Sequence, residues 1–337
     1  MKFFSDNTAT ACPEILNALS DVNRGRAKAY GDDEWTRRLD AVLGEHFGKE
    51  VRAFAVVTGT AANSLSIATL TPPYGAVFAH EEAHIVRDEC GAPEFFSDGA
   101  RIVLIPGADA KLTADSLTAA IENNPATVHT VQPTTVSLTQ ATEFGTAYRP
   151  EEIARVTEVA RRHTLKVHMD GARFANALAF LGCAPADITW RAGVDVLSFG
   201  ATKNGALAAE AVVFFDLALV RDFELRRKRA GHLISKCRFV AAQLLSYVET
   251  GVWKRNATRA NRYAQQIGAA AGRALIYPVE ANEVFLRLGA DGKQRLRAAG
   301  FEFYDWGSER SGEARVVVSW DQPEDEVAAL CRELSRT

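Results

Sequence analysis

Four short stretches of the chain hold side chains whose types and spacing suit chemistry. In LSFGATKNG (197–205) an apolar run gives way to a turn of small residues with a single cation, Lys203. Most lysines are solvated surface charges, but an amine placed behind a buried strand, in a turn this poor in polar residues, sits in a partly dry cleft and can act as a nucleophile. LKVHMDGARFANALA (165–179) runs apolar and then stops on Asp170, with Gly171 and Arg173 behind it. A carboxylate at the mouth of a sheet can cap a helix, bind a metal, contact a ribose or pair with a cofactor cation. VVTGTAANSLSIATL (56–70) passes through Thr58-Gly59-Thr60 straight into a helix-forming run. That arrangement gathers N–H groups and hydroxyls around one point and makes an anion site suited to a phosphate, or an ordinary N-cap by Thr58 or Thr60. It matches neither G-x-G-x-x-G nor G-x-x-x-x-G-K-[ST], which leaves dinucleotide and P-loop readings unsupported. In HEEAHIVRDECGAP (80–93), His80 and His84 are four apart, as metal ligands on a helix would be, but the order is not H-E-x-x-H and no third ligand is evident, so no metal is expected. His84 reads as an aromatic wall or a proton carrier.

These residues need elements that bring them to one place. Short apolar runs at 53–57, 75–79, 101–106, 127–131, 165–169, 194–199 and 211–215 alternate with helical spacing, as in 113–122 and 151–162. The alternation predicts an α/β domain whose mostly parallel seven-stranded sheet is covered on both faces, with ligands beyond the carboxyl ends of the strands. From about Leu219 the pattern changes to a basic helical stretch, FELRRKRAGHLISKCRFVAAQLLSYV, a long helix from Lys254 to Ala274, strands in NEVFLRL, FEFYDW and ARVVVSW, and a last helix from Glu324 to Arg336. This predicts a site-contributing N-terminal segment (1–15), a large α/β domain (16–218) and a smaller α+β C-terminal domain (219–337). A phosphate cup, a histidine, a carboxylate followed by an arginine, and a lysine at successive strand ends form the set that pyridoxal phosphate requires.

Composition narrows the alternatives. The chain has 337 residues, of which 47% are hydrophobic and 24% charged, and a net charge of −3 with acids and bases interspersed, so no field favours nucleic acid or an anionic membrane. No apolar run is long enough for a membrane span or a signal peptide, which predicts a cytoplasmic protein. The five cysteines are scattered without C-x-x-C spacing, so neither zinc nor a disulfide framework is expected.

FSDNTAT, AYGDDEWTRRL, TGTAAN, AHIVRDECGAP, HMDGARFANA and FGATKNG occur in the order in which the low-specificity L-threonine aldolases carry such segments, and the chain resembles that family over essentially its whole length. The resemblance implies a fold-type I pyridoxal phosphate enzyme. It implies reversible cleavage of L-threonine, L-allo-threonine and related β-hydroxy-α-amino acids to glycine and an aldehyde; the alternative is a β-eliminating lyase or aminotransferase acting on a small amino acid. It further implies a homotetramer, a dimer of dimers with shared active sites. Carried over by position, Lys203 is the Schiff-base lysine, Asp170 the partner of the ring nitrogen and His84 the stacked imidazole. Gly59 and Thr60 match the phosphate cup, and Ser5, Arg173 and Arg315 match the groups on the substrate carboxylate. Glu89 is given only a supporting role near the histidine, and Tyr30 matches a loop position that reaches a neighbouring subunit's site. Two departures stand out. Where many relatives read E-N-T-H after the fourth strand, this chain reads QPTTVSLTQATEFGTAY, so that histidine is missing. RRKRAGHLISKCR keeps basic residues but not the family spacing, leaving Lys228, Arg229 or Lys236 as the candidate that reaches a partner's phosphate.

Overall fold

The structure is a computed structural model that describes residues 1–307 and 312–336. Seven strands make one sheet: β1 (Arg52–Val56), β2 (Gly75–His80), β3 (Arg101–Ile105), β4 (Gln132–Thr139), β5 (Lys166–Gly171), β6 (Val196–Gly200) and β7 (Glu210–Phe214), in the spatial order β1-β7-β6-β5-β4-β2-β3. β7 is antiparallel to β1 and β6, while β6, β5, β4, β2 and β3 pair in parallel. The sheet is covered on both faces, which is why its strands read as continuous apolar runs and not as an alternating pattern. Ala55, Phe78, Leu138, Met169 and Val213 enter one core, and their strand neighbours Phe54, Val212 and Phe214 enter a cluster on the other face.

Six of the seven expected strands fall where the apolar runs lie. The fourth does not: residues 127–131 precede the strand, which occupies Gln132–Thr139. Thr127 and Thr130 tie this stretch into a turn, with the Thr127 N–H donating to Thr130 Oγ1 at 3.1 Å, and Val128 is 94% exposed. Threonine hydroxyls that satisfy the backbone locally compete with a sheet ladder, and here the local bonds win.

A second sheet, with order β8-β10-β9, consists of β8 (Glu283–Arg287), β9 (Tyr304–Trp306) and β10 (Glu313–Val317), all antiparallel. It packs with Tyr263 and Ile267 from the helix Val252–Ala271 and Leu330 from the helix Glu324–Leu334. The N-terminal strand-like segment joins this unit: Phe3 is buried in its core, and the Val317 N–H donates to the Phe3 carbonyl at 2.9 Å. Residues 5–8 are thereby delivered toward the large sheet.

The basic stretch from residue 223 is two helices, Phe223–Arg229 and Arg238–Glu249. Their apolar residues serve the large sheet, Phe223 against Phe54 and Phe214, and Val240, Leu244 and Tyr247 in the main core. Val252 still belongs to that core, while Tyr263, eleven residues on in the same helix, belongs to the small one. Among the described residues no helix is long and apolar enough to cross a membrane.

Candidate active site

A cavity of about 390 Å³ opens at the carboxyl ends of the parallel strands, and Gly59, Thr60, His84, Asp170, Arg173 and Lys203 all line it. Register explains the meeting. Thr139 pairs with Asp170, Asp170 with Ser198, and Gly200 with Glu210, so the ends of β4, β5 and β6 and the start of β7 share one edge.

Asp170, the penultimate residue of β5, is 3% exposed. Its Oδ1 accepts the Ala172 N–H at 3.0 Å and its Oδ2 accepts the Asn63 amide at 2.8 Å. The same Asn63 Nδ2 donates to Glu89 Oε1, also at 2.8 Å, and that oxygen lies 2.8 Å from His84 Nδ1. Imidazole, carboxylate, amide and carboxylate therefore form one buried chain. Burial, with the charge of Asp170, lifts the Glu89 carboxyl above its usual range. Burial opposes charging of His84 too, but the Glu89 bond and the Asp170 charge outweigh it and raise the ring's affinity for a proton. Donor atoms of His84, Glu89 and Asp170 lie within 4.8 Å of one another. Asn63 donates a hydrogen to both carboxylates, so the interior of this group presents N–H to anything between them, which suits a hydrogen-bonded relay better than a cation.

A strand, a short turn and a helix start follow one another at residues 52–60. Thr58 caps the helix Gly59–Leu70, its Oγ1 accepting the Ala61 N–H at 3.1 Å, and the N–H groups of Gly59 and Thr60 have no hydrogen-bond partner among the described residues. A Cβ built on Gly59 would meet nothing within 4 Å. The protein does not itself require glycine there, and the open space is room for an anion against free N–H groups at a helix N-terminus.

Lys203 sits in a single 3-10 turn, Thr202–Asn204, directly behind β6. Its amine makes no hydrogen bond or ion pair among the described residues, while everything around it is tied down. Asn204 Nδ2 donates to the Tyr247 hydroxyl at 2.6 Å and to the Trp253 carbonyl at 2.8 Å, and Cys12 N donates to the Gly205 carbonyl at 2.8 Å. Glu210 Oε2 accepts the Ala201 N–H at 3.0 Å, and burial pushes the Glu210 carboxyl up to about 7. Gly205 has φ +113°, and a Cβ there would lie 2.7 Å from Asn256 Nδ2, so the turn needs glycine on both counts. A rigid turn that presents an amine with no partner among the described residues, a carboxylate held on the floor and an anion cup of helix N–H groups together fit pyridoxal phosphate.

Arg173 is not free. Its Nε and Nη2 fork onto Asp6 at 2.8 and 3.1 Å, and its Nη1 is 3.3 Å from Glu283 Oε2. Burial pulls the Asp6 carboxyl upward, but the charges of Arg173 and Lys203 outweigh it and hold it below its usual range. Glu283 Oε1 lies 3.8 Å from Arg315 Nη1, so two acids and two arginines balance in a line running from the cleft to the small sheet. Arg315 stands in the back of that line, its guanidinium 5.6 Å from the ring centroids of both Tyr304 and Trp306.

Ser5, Arg315 and Tyr30 are not among the residues lining the cavity. Ser5 caps the turn Asp6–Thr8, accepting the Asn7 N–H, and it is Asn7 that reaches the cleft. Tyr30 is 54% exposed and borders a separate hollow of about 260 Å³, with Lys228 Nζ 4.4 Å from its ring centroid. Sequence reasoning missed Asp6, Asn63, Glu143, Glu210 and Glu283. Asp6 was visible beside Ser5, and Asn63 closes the TGTAAN segment, but nothing local marks Glu143 or Glu283, which reach the site from a loop and from the second sheet.

Comparison with known proteins agrees with this geometry. The chain is 44% identical to a low specificity L-threonine aldolase from Pseudomonas aeruginosa over 99% of its own length and 96% of that protein's. It superposes on a solved structure of threonine aldolase from Leishmania major with a TM-score of 0.93 at 26% identity, covering 99% of this chain and 98% of that one. A serine palmitoyltransferase from Sphingomonas wittichii shares the fold, with a TM-score of 0.75 at 15% identity over 100% of this chain and 86% of that one. The architecture is that of the fold-type I enzymes. The beta-eliminating lyase family model matches residues 2–290, and the chain belongs to that family.

Proposed function

We propose that this chain is a pyridoxal phosphate-dependent carbon–carbon lyase, a low-specificity L-threonine aldolase. It would cleave L-threonine, L-allo-threonine and related β-hydroxy-α-amino acids reversibly to glycine and an aldehyde. The observation that carries the reading is the cleft in which the Lys203 amine, without a partner among the described residues, the Asp170 carboxylate, His84 and the N-terminus of the helix at Gly59 face one another. The likeness to the aldolases of Pseudomonas and Leishmania supports it.

When bound, the cofactor supplies a cationic ring that accepts the electron pair of the broken bond. Lys203 would hold its aldehyde, and Gly59 and Thr60 its phosphate. Asp170, already oriented by Asn63 and Ala172, would keep the ring nitrogen protonated by its charge. His84, fixed by Glu89, would stand against the ring face. Arg173, with Arg315 and Ser5 behind it, would hold the substrate carboxylate, and the fork with Asp6 sets the plane of that guanidinium. Fixing the carboxylate would leave one bond at Cα in position to break, here Cα–Cβ. The N-terminal segment (1–15), the large domain (16–218) and the smaller C-terminal domain (219–337) would be the functional divisions, while the change of core falls further on, inside the helix Val252–Ala271. We further propose a cytoplasmic homotetramer, a dimer of dimers. Tyr30 and one of Lys228, Arg229 and Lys236 would then reach a neighbour's site, a placement supported by the exposure of Tyr30 away from its own cleft.

Incubation of the purified protein with L-threonine and L-allo-threonine tests the reading. Glycine and acetaldehyde in equal amounts are the expected products, whereas 2-oxobutyrate or pyruvate would replace it with elimination or transamination.

A further inference from the structure

Cleavage to an aldehyde requires a group that takes the proton of the β-hydroxyl. We propose that this group is Glu143, acting as the catalytic base in the cleavage direction and as the acid in synthesis; the inference rests on the aldolase reading above.

The argument is one of elimination within the cleft. Four carboxyls line it: Asp88, Glu143, Asp170 and Glu210. Asp170 is held by Asn63 and Ala172, and Glu210 accepts the Ala201 N–H behind the lysine turn. Asp88 is exposed at the rim. Glu143 alone among them is half-buried and makes no hydrogen bond among the described residues. His84 is a poorer candidate, because the Glu89 bond occupies Nδ1 and favours its protonated form.

The loop that carries Glu143 is built to hold it still. Gln140 closes the neck, donating to the Tyr148 carbonyl and accepting the Tyr148 N–H, both at 2.9 Å. Thr142 and Thr146 hydroxyls lie 2.8 Å apart and both donate to the Asp109 carbonyl. Gly145, at φ +71°, packs its backbone so close to β8 that a Cβ would lie 3.1 Å from the Glu283 carbonyl oxygen. The charged groups facing Glu143 are Glu283 from β8, His84, Asp170 at the end of β5 and Arg173, with Lys203, Glu210 and Asp88 lining the same cavity. Burial first, and the charge of Glu283 second, push the Glu143 carboxyl up to about 7, where it can both take and return a proton near neutral pH.

The step balances. The O–H proton passes to the Glu143 carboxylate, the O–H electron pair becomes the second C–O bond of the aldehyde, and the Cα–Cβ pair would go to the cofactor, the electron acceptor named above. The proton gained by Glu143 passes to solvent, Cα acquires its proton by a separate route that does not use Glu143 as glycine forms, and the carboxylate is restored.

Glycine has the same α-carbon but no hydroxyl, so it separates this role from the rest of the site. In Glu143→Gln, kcat for L-allo-threonine should fall ~100-fold or more, and the rising limb of the kcat–pH profile near pH 7 should vanish. Glycine affinity by absorbance titration and exchange of its α-hydrogens in D2O should stay at the parent level. Two carboxyl stretches, those of Glu143 and Glu210, should titrate near pH 7 in the infrared spectrum of the parent, and only the Glu210 one should remain in the variant. Glu143→Asp should keep the rising limb at reduced kcat. Near-parent cleavage by Glu143→Gln, or equal loss of cleavage and glycine exchange, overturns the base role. A parent protein that exchanges glycine hydrogens but cleaves no β-hydroxy amino acid overturns the aldolase reading itself, and the base role with it.

Discussion

Asn63 is the joint on which the buried part of the site depends, and Asn63→Leu isolates its contribution. Leucine has the same number of side-chain heavy atoms and the same branching, so it removes the donor without opening a cavity. Two hydrogen bonds to carboxylates at 2.8 Å are lost. Each contributes ~1.5–3 kcal/mol when the acceptor is charged, giving about 3–6 kcal/mol in all. The lower end, about 3 kcal/mol, is expected, because Glu89 is already above its usual range and can take up a proton. With ~2.1 cal/mol/K of unfolding entropy per residue over 337 residues, that corresponds to a fall in Tm of about 4 °C. The pH dependence fixes the cause. A carboxyl raised in the folded state binds more protons folded than unfolded, so stability falls as pH climbs above the ordinary glutamate range. Without Asn63 the carboxyl rises further, and the gap between parent and variant should widen from pH 5 to pH 8. Calorimetry across that range checks it. A gap that is constant or shrinks with pH, or one below ~1 kcal/mol, would refute the view that Asn63 holds two buried charges apart.

Three other outcomes are expected. Asp170→Asn keeps the shape of the floor but removes its charge, so the protein should retain some cofactor by absorbance while L-allo-threonine cleavage drops by ~100-fold or more. His168, fully buried between the Ser137 and Ser198 hydroxyls at 2.9 Å each, is depressed to about 4 by burial. It is neutral in the fold, so its contribution is complete above pH 6.5 and is lost as pH falls toward 4; that is about 3 kcal/mol at 1.36 kcal/mol per pH unit, and His168→Gln should flatten this acid limb in chemical denaturation. Gly200→Ala places a Cβ 2.6 Å from the Ala172 carbonyl oxygen and 2.7 Å from its Cα, both backbone. It should destabilise by at least ~1–3 kcal/mol in urea titration and lower cofactor retention, since the turn after Asp170 must give way.

Much of this arrangement is legible in the sequence because its signals are local. A buried strand followed at once by a turn announces the ends of β5 and β6, and so Asp170 and Lys203. Thr58-Gly59-Thr60 before a helical run announces the cup, since the hydroxyl, the small residue and the helix start are consecutive. Residues 127–131 misled because threonine and valine favour strands, whereas here the Thr127 and Thr130 hydroxyls close a turn. Arg173 is legible as a cation near the site but not as one already engaged, because Asp6 lies 167 residues away and Glu283 belongs to the other sheet. Glu143 illustrates the same limit from the opposite side. The sequence shows a missing histidine in that loop, and only packing of Gly145 against Glu283 shows which residue turns into the cleft.

The account depends most on Lys203 being the residue that holds the cofactor. Reducing the purified protein with borohydride, digesting it and mapping the peptides by mass spectrometry tests this directly. The account expects the reduced cofactor's mass on the peptide containing Lys203, with loss of the visible absorbance and no label in Lys203→Ala. Label on another lysine, or a parent protein that binds pyridoxal phosphate without forming a reducible bond, would contradict it.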